Sequence, residues 1–320
     1  MSRHQKDGTQ GIAVRLKKDW IENGGAYLLA LAVLAYYLLF HYKPMVGAVI
    51  AFKDFSSSKG IWGSKWIGVR YFSEFFTSYY FLRLVKNTLV ISLSSLIFAF
   101  PLPILFALLI NEVKNDRFRK TVQTISYMPH FISMVVVCSM VRLFTDGNSF
   151  IVQILSFFGH NNLGGNLLNE KSMFVPIYVV SGIWQNLGWD CIIYIAALTS
   201  IDMQLYEAAR VDGATRGQIL RRVTLPMMMP SITICTFLTL TNSFKLFDQN
   251  LALTAGEPGI QSAGNTIYST EMLALNIYNT FYQNANTRGV GQAKAVIFFL
   301  LVAVIALAQL YATRRKEVQQ

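Results

Sequence analysis

Residues 200–230 read SIDMQLYEAARVDGATRGQILRRVTLPMMMP and form a polar segment between two long apolar stretches. Asp202 is a typical helix N-cap. Gly213 predicts the end of that helix, because glycine readily adopts the left-handed conformation of a C-terminal cap. Thr215 and Gln218 have the spacing of a capping box for a second short helix. The segment therefore predicts two short helices joined by a glycine turn.

The composition of the chain is that of an integral membrane protein. Of its 320 residues 53% are hydrophobic and 14% are charged, and the mean hydropathy is +0.39. Soluble domains carry about 25% charged residues. The net charge is +11, but the sequence has no basic stripe with interleaved aromatic residues, so we expect no nucleic-acid partner. Three scattered cysteines in apolar stretches predict reduced thiols and no metal site.

Six segments are long and apolar enough to be predicted as membrane spans. They are residues 25–44, 84–110, 122–144, 173–198, 227–247 and 293–312. The predicted fold class is therefore all-α, a polytopic membrane protein with six transmembrane helices. We expect residues 1–24 to form an N-terminal cytoplasmic segment, residues 25–312 the transmembrane domain, and residues 313–320 a cytoplasmic tail.

The distribution of Lys and Arg between the loops predicts the orientation in the membrane. Sixteen lie in the N-terminal segment, the loop after the second span, the 200–230 segment and the C-terminal tail, and eight lie in the loops on the opposite side. Cytoplasmic loops carry the excess of Lys and Arg. Both termini and residues 200–230 are thus predicted to be cytoplasmic.

The 200–230 segment also carries a family resemblance. Glu207-Ala208-Ala209, then Asp212-Gly213-Ala214 and Leu225-Pro226, resembles the "EAA" loop of binding-protein-dependent ABC importer permeases. The resemblance implies that this cytoplasmic loop is a coupling helix that docks into a cleft of an ATP-binding subunit. The residues that it places in ATPase coupling are Glu207, Ala208, Ala209, Asp212, Gly213, Ala214 and Arg216.

The chain lacks the nucleotide-binding sequence G-x-x-x-x-G-K-[ST], so ATP and Mg are expected on partner subunits. We expect no cofactor, no metal and no catalytic residue in this chain, and the four histidines have no metal-binding spacing. The resemblance implies a bacterial plasma (inner) membrane location and three kinds of partner. These are a second homologous permease forming a heterodimer, two ATP-binding subunits, and an extracytoplasmic solute-binding protein.

Polar residues inside the fourth and fifth predicted spans are the candidates for a substrate path. Burying them in lipid is unfavourable, so they should face the helix bundle or a water-filled path. Aromatic rings stack on the apolar face of a sugar, and amides exchange hydrogen bonds with its hydroxyl groups. The candidates are Trp184, Gln185, Asn186, Trp189, Asp190, Thr239, Asn242, Ser243 and Lys245. Hydrogen bonding between helices is the other role of such side chains.

Two charged candidates bear on the charge of the substrate. Asp190 is expected in the outer half of the fourth span, and Lys245 near the outer end of the fifth. Both a pair between them and snorkelling of Lys245 to the membrane surface are compatible with the sequence. A Lys245 that faces the path would suit an acidic sugar such as a uronate.

The flanking features resemble the sugar-type class, which includes the maltose-type and related oligosaccharide permeases. The resemblance implies a permease subunit of an ATP-driven importer that moves a carbohydrate, expected to be an oligosaccharide, into the cytoplasm by alternating access. One alternative is an ABC permease for a non-sugar solute such as glycerol phosphate. Another is an ion-coupled secondary transporter, but coupling carboxylates in mid-span and an inverted repeat are missing.

The external segment 45–83 is rich in aromatic residues. Tyr71, Phe72, Phe75 and Phe76 suit a helix that lies at the membrane interface. A surface for the solute-binding protein is the alternative interpretation.

Overall fold

The computed structural model describes residues 12–157, 166–244, 247–256, 259–262, 265–268, 270–283 and 287–317. In these ranges the chain is mostly helical, which confirms the all-α class. The helices are α1 (Ile12–Tyr37), α2 (Lys43–Met45), α3 (Gly60–Gly63), α4 (Arg70–Phe76), α5 (Phe81–Ser94), α6 (Pro101–Asn111), α7 (Asp116–Tyr127), α8 (Met134–Thr145), α9 (Phe150–Phe157), α10 (Lys171–Thr199), α11 (Met203–Val211), α12 (Arg216–Ile219), α13 (Leu225–Ser243), α14 (Asp248–Leu253), α15 (Leu273–Gln283) and α16 (Arg288–Glu317).

Two small antiparallel hairpins interrupt the helices. They are β1 (Lys53–Asp54) with β2 (Lys65–Trp66), and β3 (Gly259–Ser262) with β4 (Asn265–Tyr268). Both belong to segments that the sequence places outside the membrane, where strand edges are tolerated because water can satisfy them.

Several helices are joined end to end by π-helical turns. The turns Ser95–Ala99 and Leu220–Thr224 connect α5 to α6 and α12 to α13. The second of these corrects the prediction of a separate second short helix after Gly213, because the helix continues from α12 into the fifth span. The π turn Leu220–Thr224 directly precedes Leu225, and it lets Pro226 lie within this helix without ending it.

Five segments of the described chain are long and apolar enough to cross a membrane. They are Asn23–Phe52, Phe81–Asn111, Met134–Ile154, Arg216–Ser243 and Arg288–Tyr311. The predicted fourth span, α10, has 29 residues, or about 43 Å at 1.5 Å per residue. That is long enough to span a bilayer of about 30 Å, but Gln185, Asn186 and Asp190 make it the most polar of the six.

The third predicted span, 122–144, is wrong as a single helix. α7 ends at Tyr127, a 3-10 turn follows at Met128–Phe131, and α8 begins only at Met134. Pro129 contributes to the break, because it cannot donate a backbone hydrogen bond and its ring disturbs the preceding helical turn. The backbone becomes extended at Ile132. Ser133 then caps α8 by accepting a hydrogen bond from the Val136 amide at 3.4 Å.

α10 is the central helix of the domain and contacts α5, α6, α7, α8 and α13. One apolar cluster packs around Tyr178 in its first half, and another packs around Cys191 and Tyr194 in its second half. Gly188 brings α7 close, because a Cβ built on it would overlap the backbone oxygen of Ser126. The sequence of α10 thus fixes where the broken third span lies.

A buried polar network ties α15 to α16 and α5. The Glu271 carboxylate accepts hydrogen bonds from Asn276 Nδ2 at 3.1 Å and from Asn279 Nδ2 at 3.2 Å. Lys294 Nζ donates to Asn276 Oδ1 at 2.7 Å, and Asn87 Nδ2 donates to the Glu271 backbone oxygen at 3.0 Å. Burial raises the pKa of the Glu271 carboxyl, whereas the two amides and the Lys294 charge act in the opposite direction.

The aromatic segment of the first external loop is partly integrated into this packing. Phe75 is buried with Leu84 and Leu273, whereas Phe76 is exposed. Tyr71 donates a hydrogen bond to Asp54 at 3.2 Å and lies against Gly289 at the start of α16. Only part of the segment is therefore free to contact lipid or a partner.

We expect Gly188→Ala to lower the melting temperature of the purified protein in detergent. The added methyl group must displace the α7 backbone, and overpacking of this kind costs about 1–3 kcal/mol. Gly182→Ala is the matched control on the same helix, since its Cβ would meet Gln249 Oε1 at an ordinary 3.6 Å. Equal melting temperatures for the two variants would contradict the close α7–α10 contact.

Glu271→Ala should also destabilise the fold, because it leaves the amides of Asn276 and Asn279 without their acceptor. A buried polar group left unsatisfied costs about 1–3 kcal/mol. Glu74→Ala removes only the exposed ion pair with Arg70, which contributes about 0.3–0.5 kcal/mol. Thermal unfolding in detergent measures both, and an effect of Glu271→Ala no larger than that of Glu74→Ala would show that the network is not stabilising.

Candidate transport site and coupling segment

The first predicted helix of the 200–230 segment is α11, and its two predicted ends are confirmed. Asp202 Oδ1 accepts a hydrogen bond from the Gln204 amide at 2.9 Å. Gly213 has a φ of +74°, and the amides of Gly213 and Ala214 bond to Arg210 O and Ala209 O, each at 3.0 Å. These two bonds form a Schellman motif, which satisfies carbonyl groups at the helix end.

The capping box that starts the second helix is also confirmed. The Thr215 amide donates to Gln218 Oε1 at 2.7 Å, and the Gln218 amide donates to Thr215 Oγ1 at 3.4 Å. Because both ends of the Gly213 turn are capped, the angle between α11 and the following helix is fixed by the local sequence.

One face of α11 is anchored and the other is open. Ile201 is buried against Leu198, and Tyr206 packs there and bonds to Thr224 Oγ1 at 3.2 Å. Apolar side chains lie on the exposed side, where Val211 is 87% exposed and Met203 is 61% exposed. A rigid base under an exposed apolar surface is what a docking element requires.

The predicted coupling residues lie on this segment with different exposures. Ala209 and Ala214 are half-buried. The exposed members are Glu207, Ala208, Asp212, Gly213 and Arg216. Glu207 forms no ion pair or side-chain hydrogen bond within the described part of the chain.

A cavity of about 380 Å³ lies in the membrane domain between the start of α6, the second half of α10 and α13. It brings together four of the predicted path residues, Trp189, Asp190, Thr239 and Asn242. Phe100 and Tyr194 are also in its wall. The cavity thus combines aromatic, hydroxyl, amide and carboxylate groups, which together can bind a polar molecule without covalent chemistry.

With residues 200–230 predicted to be cytoplasmic, the expected place of Asp190 in the outer half of its span does not agree with the bounds of α10. It lies past the midpoint of Lys171–Thr199, toward the end that leads into α11. The expectation overlooked that the chain runs through this span toward residues 200–230. Lys245 lies outside the described residues, and so does its predicted pairing with Asp190.

Four other predicted path residues that the structure describes are not in the cavity wall, namely Trp184, Gln185, Asn186 and Ser243. Trp184 is exposed on α10. Gln185 is buried and donates from Nε2 to the Ile132 backbone oxygen at 2.9 Å. Ser243 is buried, and its backbone oxygen accepts a hydrogen bond from Ser92 Oγ at 2.9 Å. The Gln185 side chain therefore bonds to a neighbouring segment, the alternative that the sequence left open, whereas the Ser243 hydroxyl bonds within its own helix, to Leu240 O at 2.8 Å.

Sequence reasoning missed the residues of the broken third span. The 3-10 turn at Met128–Phe131 places His130 against α10, where Nδ1 lies 3.0 Å from Asn186 Oδ1. The His130 ring stacks on Trp189, with ring centroids 4.5 Å apart and planes 4° apart. The adjacent Pro129 and His130 inside an apolar stretch were the available signal, but the histidines were considered only as metal ligands.

No cluster of metal-ligating side chains occurs among the residues that the structure describes. The polar groups that face the cavity are hydrogen-bonding groups and one carboxylate, Asp190. These groups can hold a polar solute by hydrogen bonds.

Comparisons with known proteins agree with this architecture. A family model described as "Binding-protein-dependent transport system inner membrane component" matches residues 99–318. The polygalacturonan/rhamnogalacturonan transport system permease protein YteP of Bacillus subtilis (strain 168) is 37% identical over 291 residues, which cover 90% of this chain and 89% of that protein.

Solved structures give the same result. A bacterial ABC transporter involved in the import of the acidic polysaccharide alginate has a chain that matches with a TM-score of 0.81 and 37% identity. The match covers 94% of this chain and 99% of that one. A structure of the bacterial alginate ABC transporter in complex with alginate pentasaccharide-bound periplasmic protein also matches, with a TM-score of 0.81, 36% identity and coverage of 94% of this chain and 98% of that one.

We expect Gly213→Ala to open the turn after α11. A left-handed backbone costs a non-glycine residue about 1–2 kcal/mol, so amide hydrogen exchange at Ala214 should accelerate by roughly 5- to 30-fold. Gly217→Ala is the control. Gly217 lies in α12 just after the turn, its φ is not positive, and nothing lies within 4 Å of its Cβ position. Equal exchange rates in the two variants would argue against the Schellman turn.

Proposed function

We propose, from the premise that this chain belongs to the family of binding-protein-dependent transport system inner membrane components, that it is the permease subunit of an ATP-driven importer of acidic oligosaccharides. The observation that carries the proposal is the arrangement of α10–α13. Residues 200–230 are called the coupling segment here. The cavity residues Trp189 and Asp190 lie on the helix that enters this segment, and Thr239 and Asn242 lie on the helix that leaves it.

The substrate class follows from the cavity and from two relatives. Trp189 offers a ring for a sugar face, and Thr239 and Asn242 offer hydrogen-bonding groups for its hydroxyls. One relative is named for polygalacturonan and rhamnogalacturonan, and the other imports alginate. Both names refer to acidic polysaccharides, which supports an acidic oligosaccharide as the solute of this chain.

Asp190 gives the cavity a selective property. Among the described side chains that line the cavity, Asp190 is the one that carries a formal charge. Two like charges about 5 Å apart repel by about 3 kcal/mol at an effective dielectric constant of 20. An ionised Asp190 would therefore keep an acidic sugar weakly bound, which suits a path that must release its solute.

The coupling segment would connect this cavity to ATP hydrolysis. We place ATP and Mg on two separate ATP-binding subunits, each with a cleft that receives one coupling segment. The exposed Met203, Leu205 and Val211 supply the apolar contact area on this chain. Glu207 and Arg216 are exposed beside them and would pair with charged groups of the ATP-binding subunit.

A second permease would complete the path. None of the apolar window of the N-terminal helix segment Asn23–Phe52 is buried within this chain. This surface is free for lipid and for a homologous partner, and we propose a heterodimer. The distribution of Lys and Arg supports cytoplasmic locations for both termini and for the coupling segment.

The mechanism that fits these parts is alternating access. An extracytoplasmic solute-binding protein delivers the sugar to the outer side of the two permeases. Closure of the ATP-binding subunits moves the coupling segments together, and α10 and α13 transmit that movement to the cavity walls. Hydrolysis returns the path to its inward-open state, and the sugar leaves into the cytoplasm.

The test is the ATPase activity of the reconstituted complex with its solute-binding protein, across neutral oligosaccharides, uronate oligosaccharides and glycerol phosphate. Stimulation by the uronate oligosaccharides is expected. Stimulation by glycerol phosphate alone would show that the solute is not a sugar. ATP-independent uptake driven by an ion gradient would contradict the assignment to ATP-driven importers.

Asp190→Asn should raise the apparent affinity for uronate oligosaccharides by about fivefold or more, since it removes the repulsion while keeping a hydrogen-bonding group. Affinity for neutral oligosaccharides should change by less than twofold. The control is Asp116→Asn. It removes an exposed ion pair with Arg119, and neither residue lines the cavity. Concentration dependence of uptake into proteoliposomes gives both values, and an equal change for both sugar classes would refute a selective role for Asp190.

A further inference from the structure

We propose that His130 is a positioning residue of the sugar path, which holds the Trp189 ring in the orientation that the cavity uses. The inference rests on the proposed function and deepens it. It adds a residue from the broken third span, which neither the family motif nor the polar pattern of the spans contains.

The first observation is the stacking geometry. The His130 and Trp189 rings are almost parallel, at 4° and 4.5 Å, and Phe131 meets Trp189 edge-on at 5.9 Å. Trp189 is nevertheless 44% exposed and lines the cavity. One part of the indole is therefore held by the 3-10 turn while another part remains free for a ligand.

The second observation is the orientation of the imidazole. Asn186 Nδ2 donates to the Gly182 backbone oxygen at 3.1 Å, so Asn186 Oδ1 points to His130 Nδ1 at 3.0 Å. Since Oδ1 can only accept, His130 donates from Nδ1. The ring is thus fixed at its nitrogen by Asn186 as well as on its face by Trp189.

The third observation is the support beneath His130. Gln185 Nε2 holds the Ile132 carbonyl at 2.9 Å, where the helix break leaves it without a helical partner. Residues 185, 186 and 189 of α10 therefore all contact the turn that carries His130. Non-helical backbone at membrane depth occurs where it is buried in protein or lines a path. This turn packs against α10 beside the cavity residue Trp189, with Pro129 and His130 half-buried and Phe131 exposed.

The experiment measures transport kinetics of a uronate oligosaccharide in proteoliposomes that contain the whole complex and saturating solute-binding protein. His130→Gln keeps a donor for Asn186 but loses the ring, and His130→Phe keeps the ring but loses the donor. We expect His130→Gln to raise KM about tenfold and His130→Phe about threefold, with kcat changed less than twofold. Asp116→Asn is the control, since Asp116 lies on α7 ahead of the turn and the change removes only an exposed pair with Arg119.

A double-mutant cycle tests whether His130 acts through Trp189. If it does, His130→Gln should change KM less than twofold in a Trp189→Ala background. Additive effects, an unchanged KM for His130→Gln, or a loss of melting temperature and kcat with KM intact would each overturn the inference. If the wild-type complex transports no oligosaccharide, the proposed function is overturned as well. If the wild-type complex transports normally and one of these three results is obtained, only the role of His130 is overturned.

Discussion

The cost of an unpaired polar backbone group inside a membrane is the constraint on which the rest of this structure depends. Pro129 breaks the third span, and the break frees backbone carbonyl groups at membrane depth. Gln185 on α10 satisfies the Ile132 carbonyl, and Gly188 lets α7 approach closely enough for that contact. Two of the polar residues of α10, Gln185 and Asn186, thus pair with the broken neighbouring span.

The same helix connects this polar centre to the coupling segment. α10 carries Trp189 and Asp190 and runs on toward α11, and the helix from α12 to α13 returns to Thr239 and Asn242. α11 is therefore linked to two walls of the cavity, by a short turn to α10 and by the Gly213 turn to the helix that continues into α13. The capped Gly213 turn and the bond between Tyr206 and Thr224 keep that link stiff.

Local patterns in the sequence predicted the caps of the 200–230 segment correctly, although the local signal of Pro129 for the broken third span was missed. The N-cap at Asp202 and the capping box at Thr215 follow from short spacings, and the apolar stretches follow from the cost of spanning lipid. The location of His130 against Asn186 and Trp189 could not be predicted, because it depends on how two helices distant in sequence cross. The burial of Gln185 and Ser243 likewise depends on which side of each helix the fold turns inward.

The most direct test is a structure of the whole complex, with its solute-binding protein and a bound uronate oligosaccharide, trapped with a non-hydrolysable ATP analogue. The account predicts sugar density against Trp189 and beside Asp190, Thr239 and Asn242, with the α11 segment seated in an ATP-binding subunit. Sugar bound elsewhere in the membrane domain, with this cavity filled by lipid, would contradict it.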